Sequence, residues 1–176
     1  SSLARMVSSA LATNTLTLDP EKYTNYEVGA KWDISKALAF TTALYQTDRE
    51  NIRFATSSTS FVQSGTSQVQ GLELALTGYL QPRWQVSAGY SHIFRGELTS
   101  ATATSTSAVI PVGTPLPILP HDTISLWNRY QFTEVFAAGV GVVYHSDSYA
   151  TLQPAANRVT LPAYTTVDAA LFRKIV

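Results

Sequence analysis

The sequence predicts an all-β fold, an antiparallel sheet of the kind that spans a membrane as part of a barrel, and three observations predict it. Apolar residues recur with a period of two along seven segments. Short and long connections alternate between those segments, and aromatic residues gather near the segment ends, the pattern of a transmembrane β-barrel.

Each element follows in turn. Tyr26 to Asp33 sets Tyr26, Val28, Ala30 and Trp32 against Glu27, Gly29, Lys31 and Asp33, so every position obeys the strand period. Ile34 and Ser35 turn into Lys36 to Asp48, where Leu38, Phe40 and Leu44 oppose Ala39, Thr41 and Ala43. After a long connection, Arg49 to Thr66, the segment Gly71 to Leu80 places Leu72, Leu74, Leu76 and Leu80 opposite Glu73, Ala75, Thr77 and Tyr79. Gln81, Pro82 and Arg83 are a tight turn. Trp84 to Arg95 then sets Trp84, Val86, Ala88, Tyr90 and Phe94 against Gln85, Ser87, Gly89, Ser91 and Arg95, with only His92 on the wrong side.

The second long connection, Gly96 to Asp122, carries almost no charge and leaves through a run of prolines. In Thr123 to Phe132, Ile124, Leu126, Tyr130 and Phe132 oppose Thr123, Ser125 and Arg129. Thr133 and Glu134 turn into Val135 to Ser146, which faces Phe136, Ala138, Val140, Val142 and Tyr144 away from Gly139, Gly141 and His145. The third long connection, Asp147 to Ala163, leads to Tyr164 to Lys174, with Val167, Ala169 and Leu171 against Asp168, Ala170 and Lys174. Segments of this length exceed the soluble strand mode of about 5–6 residues and suit a tilted strand that crosses a bilayer. Trp32, Tyr79, Trp84, Phe132 and Phe136 lie beside short turns, whereas Tyr45, Phe94, Tyr144 and Tyr149 lie where segments meet long connections, as two girdles would.

Composition agrees. Twelve basic and 12 acidic residues give no net charge, only 14% of the chain is charged, and 18 Ser with 22 Thr replace the missing ions. Nucleic acid needs clustered cations, so it is excluded as a partner, and 11% aromatics exclude disorder. With no cysteine there is neither a disulfide framework nor a thiolate site. No apolar run reaches the ~18 residues of a membrane helix.

Three strings carry a resemblance: LDPEKYTNYEVGAKWD (Leu18 to Asp33), VQGLELALTGYLQPRWQVSAGYSHIF (Val69 to Phe94) and PLPILPHDTISLWNRY (Pro115 to Tyr130). In order and spacing they resemble the C-terminal barrel portion of TonB-dependent siderophore receptors, from about Leu18 to Phe172. The resemblance implies part of a 22-stranded barrel in the Gram-negative outer membrane, occluded by a plug, that takes up a ferric siderophore through coupling to the TonB energy complex. The chain has no segment like the plug and ends at Val176 without the terminal aromatic such barrels carry. The expectation is therefore a fragment, with residues 1–24 as the remnant of an extracellular loop and 25–176 as partial barrel.

His92, His121 and His145 lack zinc-like spacing, and no nucleophile elbow or phosphate loop is present, so no catalytic or metal residues are assigned and no resident cofactor is expected. On the polar faces, Glu73, Arg95, Trp127, Arg129 and Asp168 suit a lattice of strand-to-strand salt bridges and hydrogen bonds, or else contacts to an anionic ferric chelate or the plug. Loop residues His121, Tyr149 and Arg158 join Arg95, Trp127 and Arg129 as candidate ligand contacts. The connection Gly96 to Asp122 reads either as a mobile polar loop or as a segment that closes over ligand. Two other readings stay open: a passive porin or structural barrel, and a soluble β-sandwich with the Leu72, Leu74, Leu76 face as its buried core.

Overall fold

The computed structural model describes residues 19–55, 61–100, 102–103 and 109–174. Its strands are β1 (Lys22–Ser35), β2 (Leu38–Ala55), β3 (Phe61–Gln81), β4 (Trp84–Leu98), β5 (Thr102–Ala103), β6 (Val109–Ile110), β7 (Asp122–Gln131), β8 (Phe136–His145), β9 (Ser148–Tyr149), β10 (Thr160–Leu161) and β11 (Tyr164–Arg173). The seven long strands form one antiparallel sheet in the order β1-β2-β3-β4-β7-β8-β11, so each pairs with the next long strand along the chain. The short pairs β5 with β6 and β9 with β10 lie within the second and third long connections.

Cross-strand partners show that the sheet has two chemically distinct faces. One row runs Phe40, Leu76, Ala88, Leu126, Val142 and Val167, and the next row starts Leu74, Tyr90, Ile124 and Tyr144. This apolar face is bare: Val28 is 69% and Leu171 90% exposed. A second sheet does not cover it among the described residues, so the β-sandwich reading, which needs this face as protein core, is set aside. From Trp84 to Phe94 the face extends about 33 Å along the strand at ~3.3 Å per residue, or about 25 Å in height at the ~40° tilt usual for such barrels. Within it, Asn128 accepts a hydrogen bond from the Trp84 indole N–H at 3.1 Å, so neither polar group is left bare. The misplaced His92 is explained too, because its Nδ1 donates to Asp122 at 2.7 Å while Tyr90 donates to the same oxygen.

All seven expected strands are present, and the differences lie at their outer ends. Strands β2 and β3 run on through Arg49–Ala55 and Phe61–Thr66, residues expected to be loop, and pair with each other past bulges near Ile52. Strand β1 already includes Lys22, Tyr23 and Thr24, which were expected in the loop over 1–24; residues 1–18 of that expectation lie outside the described residues. Tyr45 and Tyr79, expected in the girdles, instead lie on the polar face, opposite Glu27 and Gln85.

Beyond this end the connections fold on one another. Ile52, Leu98 and Ile110 form a small core, with Leu116 and Leu152 packed against it, and Leu98 is fully buried. The Leu98 N–H donates to Thr114 O and its carbonyl accepts from Gly113 N–H, each at 2.9 Å. Gly113 has φ +81, which the turn from Pro111 to Thr114 needs and glycine adopts without strain. The described part of the connection Gly96 to Asp122 is thus a folded rim.

Candidate functional site

The polar face opposes the apolar one residue by residue. Small residues, Gly29, Ala43, Ala75, Gly89 and Ser125, floor a trough of about 730 Å³, and Glu27, Lys31 and Glu73 line it. Such a floor leaves room for a guest above the sheet that larger side chains would fill.

Toward the short-turn end stands Trp127. Its indole covers Gly139 and Gly141 on β8, where a Cβ would come within 2.5 or 2.6 Å of the ring. Only glycine allows that approach. Asp168 sits in the same row, opposite Gly141. Arg129 lies one row below, its guanidinium 5.2 Å from the Phe172 ring, and donates to Gln131 at 2.7 Å. At the other end, Arg158 stacks over Tyr149 at 5.3 Å and donates from Nε to Gln153 O at 3.2 Å. No described carboxylate pairs with Arg129 or Arg158, whereas Arg49 and Arg95 are tied to Glu21 and Glu97 at 2.7 and 2.6 Å.

Arg95 is not on the polar face. A bulge between Gln70 and Gly71 shifts the register, so that Arg95 stands opposite Gln70 and donates to Gln68 at 3.1 Å. It therefore joins a network on the outer reach of the apolar face, above the apolar rows, in which Gln70 donates to Gln46 at 2.7 Å. Hydrogen bonds from Gln68 (2.7 Å) and Gln46 (2.9 Å) hold the Asp48 carboxyl below its usual range. His121 is engaged in the fold: its Nδ1 lies 3.0 Å from Ile93 O, and its own carbonyl accepts from Ile93 N–H at 2.8 Å. Of the six candidate contacts, the structure thus groups Trp127 with Arg129, places Tyr149 with Arg158, sets His121 in a small pocket that Tyr149 also lines, and separates Arg95 from both groups. Among the described residues no three His, Cys, Asp or Glu side chains converge as metal ligands would.

The description "TonB dependent receptor-like, beta-barrel" matches residues 2–175. The chain belongs to that family. Among curated relatives, the probable TonB-dependent siderophore receptor PiuA of Acinetobacter baumannii is 31% identical over 168 residues, which cover 92% of this chain and 22% of the relative. The catecholate siderophore receptor Fiu of Escherichia coli K12 is 32% identical over 133 residues, 74% of this chain and 17% of that one. The crystal structure of PiuA superposes with a TM-score of 0.76 at 29% identity, covering 93% of this chain and 24% of its own. The chain thus spans about a fifth of its receptor relatives, and family membership fixes the sense of the two faces: apolar outward, polar toward the barrel interior.

Sequence reasoning missed three interior residues. Tyr45 lies against Gly71, whose added Cβ would meet the phenol at 2.7 Å. Its parity with Ala43 could have shown this, but its nearness to a strand end suggested a girdle. Glu27 and Lys31 were on the polar face in the alternation, and nothing marked them as more than strand polarity.

Proposed function

We propose that this chain forms part of the wall and mouth of an outer-membrane receptor that takes up a ferric siderophore with energy delivered through TonB. One observation carries the reading: nearly the whole chain aligns with receptors named for siderophores, and its two-faced sheet has the band that outer-membrane lipid would surround. The folded rim and the Arg158–Tyr149 pair would meet the chelate first. Below them, the small-residue floor gives it passage, and Trp127, Arg129 and Phe172 present an aromatic and cationic surface near the inner end, where a plug would lie. Arginine suits both ends because its charge is permanent and its plane stacks on rings. Iron travels as cargo, no resident cofactor takes part, and no bond in the chelate is made or broken by these residues.

The test is uptake of radiolabelled ferric siderophore by cells that carry the full-length receptor as their sole siderophore receptor. Uptake should stop when TonB is deleted or a protonophore is added. Uptake that persists without TonB would establish a passive pore instead.

A further inference from the structure

We propose that Ile118 is a ligand-contact residue of the mouth, an apolar surface for the cargo beside the Arg158–Tyr149 pair; the inference rests on the receptor reading above. Among described non-glycine residues only Asn51 (φ 59) and Ile118 (φ 53) have positive φ. Asparagine tolerates that region, but for a β-branched residue it is a true outlier. Burial would normally justify such strain, yet Ile118 is 73% exposed. Its backbone N–H donates to Tyr149 O at 2.7 Å, a bond that glycine or asparagine would make as well with less strain. Neither packing nor hydrogen bonding therefore accounts for an isoleucine there. Strain of this kind persists where function holds it in place.

Position supplies the function. The next residue, Leu119, lies against the inward side of Gly96 and beside Ile93, so the turn overhangs the polar face rather than the membrane side. Through the bond to Tyr149 it adjoins the stacked Arg158, which has no carboxylate partner among the described residues. An exposed aliphatic residue bonded through its backbone to Tyr149, whose ring carries a guanidinium with no described carboxylate partner, fits a chelate with anionic and aromatic parts.

The experiment uses the full-length receptor with Ile118→Gly and Ile118→Val, measuring thermal unfolding and binding of two probes: ferric tris(2,3-dihydroxybenzoate), which is anionic and aromatic, and ferrioxamine B. The glycine variant should unfold at the same or a higher temperature yet bind the aromatic probe about tenfold more weakly, with valine between the two. Equal binding by wild type and glycine variant, or a lower unfolding temperature for the glycine variant, overturns the inference and leaves the receptor reading intact. Preference of the wild type for ferrioxamine B overturns the assigned ligand chemistry. Binding of neither chelate by the wild type also overturns the assigned ligand chemistry, while the receptor reading stands or falls on TonB-dependent uptake.

Discussion

The part of the sheet nearest the short turns and its outer rim use the same backbone pairing with different side-chain patterns. From Trp84 to Tyr90 on β4, side chains alternate between an apolar outer row and a small, polar inner row. Past Arg49 on β2 and before Ser67 on β3 the same hairpin continues, but its stability comes from a protein core around Leu98. Period-two alternation thus records a contrast between the two faces of the sheet and not strand structure as such. Where the contrast ends, the strand goes on and its signature disappears.

Four substitutions can break or sharpen that comparison. Leu126 lies midway up the band, opposite Ala88 and Val142. Leu126→Arg should destabilise the full-length barrel by about 2–4 kcal/mol in a lipid refolding titration, whereas Gln70→Arg, above the band, should change stability by under ~1 kcal/mol. Equal costs would mean that the band ends elsewhere. At the rim, Leu98→Ala should cost about 2–3 kcal/mol. That loss should appear as faster amide exchange from Ile110 to Leu116, with exchange in β7 and β8 unchanged. Spread of the effect into those strands would show that rim and band unfold as one unit. The smallest effect concerns Asp48. Its carboxyl is held down by Gln68 and Gln46, so the stabilisation is present above its unfolded value near ~3.9 and fades as pH falls through the lower folded value. Gln68→Leu should therefore lose more rim protection at pH 6 than at pH 3, and a pH-independent loss would remove Asp48 from the rim's stability.

The same contrast explains what the sequence could reveal. Leu72, Leu74 and Leu76 against Glu73, Ala75 and Thr77 disclosed strand, register parity and face together, because a one-residue error would put every leucine on the wrong side. Trp127 and Arg129 were assigned to the inner face for that reason, and the structure places both there. Arg95 was assigned by the same rule and lies on the other face, since a single inserted residue at the Gln70–Gly71 bulge reverses parity without changing composition. The rim core was illegible for a different reason: Ile52, Leu98, Ile110 and Leu152 are far apart in sequence and share no period. Arg158 and Tyr149, nine residues apart, meet because Tyr149 on β9 pairs with Thr160 on β10, two residues beyond Arg158.

The chain's three tryptophans divide by face, and this gives it a built-in optical ruler. Trp32 and Trp84 project from the apolar rows, while Trp127 covers two glycines on the opposite side. A bromine atom fixed on an acyl chain near the inner leaflet's headgroups would quench emission from the first pair and leave the third bright. Single-tryptophan versions of the receptor would thus report insertion from two sites and the state of the interior from the other, each in its own spectrum and without a label added to the protein.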